Sequence, residues 1–178
     1  MSIRKIALLI CDLQSKTVNH LYYKSRIIEN TNKLLYMKQF IPDISFTAIS
    51  EFIPEKLGKT DNVIKSNYAD IIYRKTTYSM ATPLLIDQLN KYNISDIILT
   101  GMETQWCINK TINDLNKLNY KIHIPVDCIG NQISDYDNIY NIENLKQNGG
   151  LLTTTYSFLY YYDDIAVKEY LKFIKKPQ

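Results

Sequence analysis

The sequence predicts an α/β protein of three layers, αβα, with helices on both faces of a six-stranded, mainly parallel sheet of Rossmann-like kind. Short runs of isoleucine, leucine and valine recur along the chain, and longer amphipathic stretches separate them. Runs that are apolar almost throughout belong to strands buried on both faces, and helical connections let such strands lie parallel. The 178 residues, 46% of them hydrophobic, are enough for one buried core and few for two. No Pro/Gly/Ser-rich linker or fixed-period repeat divides them, so residues 1–178 are expected to form one domain.

The first strand is expected at Ile6 to Cys11, where the N-terminus runs straight into an apolar segment. A helix over Ser25 to Phe40 leads to a strand at Ile44 to Ile49, and a strand at Ile71 to Arg74 follows a polar connection. Pro83 suits the first turn of a helix running to Lys91. Then come a strand at Ile97 to Thr100, a helix at Gln105 to Leu118, a strand at Ile122 to Val126 and a helix at Asp137 to Gln147. A last strand at Leu151 to Thr154 precedes a helix at Ala166 to Lys175. The segment Asn138 to Asn148 is rich in asparagine, but its helical pattern persists.

Composition narrows the function. The formal charge is +3, and its densest cluster, Lys168, Lys172, Lys175 and Lys176, reads as one solvated helix face. Nothing resembling a basic stripe with base-stacking aromatics accompanies it, so a nucleic-acid partner is not expected. The three cysteines are odd in number and lack a CxxC pair, which fits a reducing compartment better than a disulfide scaffold. The N-terminus lacks a secretory signal pattern, and no apolar run reaches membrane-spanning length, so a cytoplasmic protein without a membrane partner is expected.

A parallel sheet binds ligands at the carboxyl ends of its strands, near the point where strand order reverses. Asp12 follows the first strand, Lys75 follows the third, and Cys107 lies beyond the Gly101 turn in the first turn of the next helix. A thiol at a helix N-terminus is favoured as thiolate, a lysine acts in the same direction, and a carboxylate serves as base and then acid. These three groups suffice for acyl transfer. Spacing alone leaves other readings open: a lone cysteine in such a turn is more often a packing residue, Asp12 equally a helix cap, and Lys75 a surface lysine. Strand alternation turns Cys11 into the core, and Cys128 has no acid and lysine directed at it in the same way. GxSxG, GxxxxGK[ST] and GxGxxG are all missing. The two histidines, His20 and His123, read as structural, so no metal and no cofactor is expected.

Three blocks, ALLICDLQ at Ala7 to Gln14, RKTTYSMATP at Arg74 to Pro83 and LTGMETQWCI at Leu99 to Ile108, resemble the signature blocks of isochorismatase-like cysteine hydrolases in order and spacing. SEFIPEKLGKT at Ser50 to Thr60, VDCI at Val126 to Ile129 and QNGGLLTTTYSFLYYY at Gln147 to Tyr162 extend the resemblance to the branch of isochorismatase domain-containing proteins. The resemblance implies the isochorismatase-like hydrolase fold and a catalytic triad of Asp12, Lys75 and Cys107. It also implies a non-proline cis peptide at Met102 to Glu103, aiming the backbone N–H of Glu103, with that of Cys107, at a developing oxyanion. Gln14, Tyr78 and Trp106 are candidates for the pocket wall, Trp106 equally for an oligomer contact, since members of the family commonly form dimers or tetramers.

The departures matter as well. Metal-dependent nicotinamidases of the superfamily use histidines after the second strand, where this sequence has none; isochorismatases proper cleave a vinyl ether without a cysteine at this place. Phe52 stands where the branch usually has Gln. The expectation is a cysteine-dependent hydrolase that takes a small amide or related acyl substrate through a thioester. Its rivals are a catalytically idle binding or scaffolding module, RNA-related in one version, and a vinyl ether hydrolase.

Overall fold

The structure, a computed structural model, describes residues 4–160 together with Lys168 and Lys172. Its centre is a parallel sheet of seven strands in the order β3-β2-β1-β4-β5-β7. These are β1 (Ile6–Cys11), β2 (Ile44–Phe52), β3 (Ile71–Lys75), β4 (Asp96–Met102), β5 (Lys121–Pro125) and β7 (Gly150–Thr153); the two-residue β6 (Ile129–Gly130) pairs with the end of β4. The six strands expected from sequence are all present. The seventh is too short to carry a period of its own.

All six residues of β1 are fully buried, and their alternation assigns the two layers. Ile6, Leu8 and Ile10 pack with Ile27, Leu34 and Leu35 of α1 (Lys24–Met37) and with Phe158 and Leu159 of α6 (Thr155–Tyr160). Ala7, Leu9 and Cys11 pack with Leu85 and Leu89 of α3 (Pro83–Lys91), Ile112 and Leu115 of α4 (Asn109–Asn116) and Leu145 of α5 (Asp135–Gln147). A strand covered on both sides has no use for polar alternation, which is why its sequence reads as one apolar run.

Helix starts follow local chemistry. Pro83 stands in the first turn of α3, and the Thr82 hydroxyl accepts from the Leu85 N–H at 3.3 Å. Ser134 caps α5 in the same way, so that helix begins two residues before the expected Asp137. The expected helix Gln105 to Leu118 is in fact a π-helical turn, Thr104–Ile108, running into α4. A short helix α2 (Pro54–Leu57) follows β2. Of the expected helix Ala166 to Lys175, Lys168 and Lys172 are helical and exposed, and the remainder, with Lys175 and Lys176, lies outside the described residues.

Strand order reverses between β1 and β4, whose neighbours run outward on either side, β2 and β3 beyond one and β5 and β7 beyond the other. The carboxyl ends of β1, β2, β3 and β4 therefore share one edge of the sheet. Among the described residues no helix is long and apolar enough to cross a membrane.

Candidate active site

Asp12, Lys75 and Cys107 meet at that edge. Asp12 leaves β1 with φ at +54°, a left-handed conformation that aspartate tolerates better than most residues. Its carboxylate is held from two strands: Ser50, on neighbouring β2, donates to Oδ1 at 2.7 Å, and Lys75 Nζ lies 2.7 Å from Oδ2. Lys75 ends β3, and its long side chain reaches across the end of β2, completely buried. Cys107 Sγ lies 3.6 Å from Lys75 Nζ on the other side. Lysine thus bridges acid and thiol.

The ammonium is fully engaged. It also donates to the carbonyl oxygens of Thr77 at 3.1 Å and Tyr78 at 2.8 Å, and it lies 4.7 Å from the centre of the Phe52 ring. Burial pulls the Lys75 pKa down, but the adjoining Cys11, Asp12 and Cys107 more than reverse this, and the net direction is upward. The surface-lysine alternative does not hold for a side chain this deeply buried.

Cys11 is a neighbour that strand alternation alone did not bring to the site. It is buried in the core, yet its sulfur, that of Cys107 and the Asp12 carboxylate all lie within 4.8 Å of one another. Burial, the Cys107 side chain and the Asp12 charge raise the Cys11 pKa well above its usual value and keep it a thiol. Two sulfurs and a carboxylate could ligate a metal, but the Lys75 ammonium already sits 2.7 Å from the carboxylate and 3.6 Å from one sulfur. The cation this cluster accommodates is the lysine.

In front of the trio opens a cavity of about 360 Å³, lined among others by Asp12, Gln14, Tyr78, Glu103, Trp106 and Cys107. All three pocket-wall candidates border it, in different ways. Tyr78 and Trp106 are half-exposed aromatics at its mouth, 6.4 Å apart between ring centres, with Phe52 5.5 Å beyond Tyr78. Gln14 is fully buried and its amide is committed to the backbone, donating to the Phe52 and Gly58 carbonyl oxygens and accepting from the Phe52 N–H. It fixes Phe52 in place. The Met102–Glu103 peptide is cis, and the Glu103 side chain, which sequence reasoning overlooked, lines the cavity and is held by Gln132 and Gln105.

Ser50 was also overlooked as a site residue, and Phe52, noted in the sequence only as a departure from the branch's usual Gln, borders the cavity. The available signal was register, since parallel pairing places Ser50 against Cys11 and Phe52 against Lys75. Elsewhere, Cys128 is buried in the opposite layer, 3.0 Å from the Thr155 hydroxyl, and burial raises its pKa strongly. His123 lies at the other edge of the sheet with Asp96 and Arg4.

A doubly wound parallel sheet with carboxylate, ammonium and thiol at its switch point describes a Rossmann-like α/β protein of the hydrolase class. Residues 6–157 match the Isochorismatase domain, and the chain belongs to that family. It is 30% identical over 161 residues to isochorismatase family protein 1B of Dictyostelium discoideum, covering 86% of this chain and 76% of that one. To isochorismatase domain-containing protein 2 of Xenopus laevis it is 31% identical over 157 residues, covering 85% and 73%. The structure described as MAR1 ribonuclease from Caenorhabditis elegans superposes with a TM-score of 0.86 at 29% identity, over 100% of this chain and 94% of that one. An isochorismatase-like hydrolase from Alkaliphilus metalliredigens shares the fold, with a TM-score of 0.78 at 16% identity over 89% and 99%.

Proposed function

We propose that this protein is a cysteine-dependent hydrolase of small amides or related acyl compounds, with Cys107 as nucleophile, Asp12 as general base and acid, and Lys75 holding both. The observation that carries this reading is the buried Lys75 ammonium 2.7 Å from the Asp12 carboxylate and 3.6 Å from the Cys107 sulfur, where acid and thiol themselves line an open cavity. An ammonium beside a sulfur stabilises thiolate over thiol, the form that attacks carbon.

In the first half-reaction Asp12 takes the thiol proton and Cys107 Sγ bonds to the carbonyl carbon. The backbone N–H groups of Glu103 and Cys107 receive the developing oxyanion. As the tetrahedral adduct collapses the C–N bond breaks, Asp12 returns the proton to the departing amine, and a thioester remains. Water then gives a proton to Asp12 and its oxygen to the acyl carbon, the C–S bond breaks, the carboxylic acid leaves, and Asp12 returns the proton to the Cys107 sulfur. The substrate is a small molecule, no cofactor takes part, and the active species is a homo-oligomer, whose mass sedimentation would measure.

The test is an amide screen with mass-spectrometric detection of an acyl adduct on Cys107. Cys107→Ala is expected to abolish turnover; retained activity in that variant, with loss in Asp12→Asn, would point instead to vinyl ether cleavage. Iodoacetamide near neutral pH should label Cys107 faster than a model thiol and much faster than Cys128. Equal labelling of the two would favour the idle-module reading.

A further inference from the structure

The walls of the cavity carry a charge pattern beyond what acyl transfer requires. Its acidic lining groups are Asp12 and Glu103, and among the described residues no Lys, Arg or His lines it. Phe52, Leu57, Tyr78, Met102 and Trp106 supply apolar surface.

The Lys75 cation, behind the cavity, is spent. An ammonium has three N–H donors, and those of Lys75 are shared among Asp12 Oδ2, the Thr77 and Tyr78 carbonyls and Cys107 Sγ, at 2.7, 3.1, 2.8 and 3.6 Å. None remains to bind a carboxylate on a substrate. Its charge, moreover, is balanced by Asp12.

Glu103 has no such partner. The residue is buried, with a relative exposure of 7%. Its oxygens accept from Gln132 Nε2 at 2.6 Å, the Gln132 backbone N–H at 3.2 Å and Gln105 Nε2 at 3.3 Å. Three neutral N–H donors directed at its oxygens favour the ionised carboxylate over the acid. Burial draws its pKa upward, these amides act in the opposite direction, and the net direction is upward from the usual glutamate value. A Glu103 carboxylate thus places a negative charge in the cavity wall, with no cation among its contacts in the described residues.

We infer that the cavity admits uncharged or cationic acyl substrates and turns away those bearing a carboxylate, phosphate or sulfonate, with the Glu103 side chain as the specificity-determining group. This rests on the proposed reaction at Cys107 and deepens it by naming the substrate class. An apolar, aromatic-mouthed cavity of about 360 Å³ with one uncompensated negative wall suits a small flat amide, neutral or carrying a distal ammonium. A dianionic vinyl ether and the phosphodiester of a nucleic acid would both meet repulsion.

The experiment reads charge at the sulfur without needing turnover. Three methanethiosulfonate reagents of similar size, with a trimethylammonium, a neutral or a sulfonate tail, are reacted with the full-length protein. Modification of Cys107 is followed by peptide mass spectrometry, each rate normalised to the same reagent on a free model thiol. The normalised rate for the trimethylammonium reagent should exceed that for the sulfonate by about tenfold or more at low salt, and added salt should shrink the ratio. Glu103→Gln, which keeps shape and backbone N–H, should reduce it at least about threefold. A wild-type ratio near one, or a preference for the sulfonate, overturns the proposal; a high ratio unchanged in Glu103→Gln overturns the assignment to Glu103. Failure of the amide screen with the charge preference intact would sink the amidase reading alone.

Discussion

At the scale of single residues the site is governed by one buried ion pair and the groups that hold it. Lys75 and Asp12 are both buried, so removing either leaves a charge without its counter-charge in a low-dielectric setting, at a cost of about 3 to 5 kcal/mol. Lys75→Met should therefore lower stability by that order. The double variant Lys75→Met with Asp12→Asn should recover much of the loss, as urea unfolding of all four proteins of the cycle would measure. Additive losses in the double variant would show that the two side chains are not coupled. Ser50 offers a milder change: its hydroxyl donates to Asp12 Oδ1 at 2.7 Å, and a hydrogen bond to a charged group is worth about 1.5 to 3 kcal/mol. Ser50→Ala is expected to reduce kcat roughly tenfold or more with little change in KM, because the hydroxyl orients the acid and does not line the cavity. A rise in KM at constant kcat would contradict that placement.

At the scale of elements, the chemistry is positioned by where parallel strands stop. The signal for Asp12, Lys75 and Cys107 was legible because each follows an apolar run, and a parallel sheet aligns such ends. What stayed hidden depends on register and long-range contact. Ser50 reaches Asp12 only because β2 runs three residues past the expected Ile49, and Glu103 meets Gln132 across 29 positions of sequence. Periodicity does not reveal either. The π-helical turn at Thr104–Ile108 was invisible for a different reason, since five residues are too few to carry a period of their own. Gly101 shows how tightly the β1 and β4 ends are fitted: it has φ at +111°, and a Cβ there would lie 2.1 Å from the Cys11 carbonyl oxygen. Gly101→Ala combines strained backbone with a clash against main chain on the strand that carries Asp12. A stability loss of at least ~2 kcal/mol is expected, read as a lower urea midpoint. An unshifted midpoint would mean that the two strand ends can separate without cost.

At the scale of the whole molecule, the two edges of the sheet divide the labour. One edge carries the cavity. The other is tied by Asp96, at the start of β4, which joins Arg4 ahead of β1 to His123 in β5. Burial pushes the Asp96 carboxyl up, but hydrogen bonds from Arg4, His123 and Ser95 outweigh it and hold its pKa at about 2, below the ordinary 3.8. A carboxylate with a depressed folded-state pKa stabilises the fold fully above its unfolded value. That contribution fades as pH falls from near 4 towards 2, where the folded form also takes up its proton. The full difference corresponds to about 2 kcal/mol, nearer 1 to 2 once solvent screening at Arg4, whose side chain is 41% exposed, is allowed for. Wild type and Asp96→Asn unfolded in urea at pH 7, 5, 4, 3 and 2 should therefore differ most at pH 7 and 5, by about half as much at pH 3, and converge towards pH 2. Parallel curves across that range would mean that the Asp96 charge does not stabilise the fold, and that the strands are joined at this edge by packing alone.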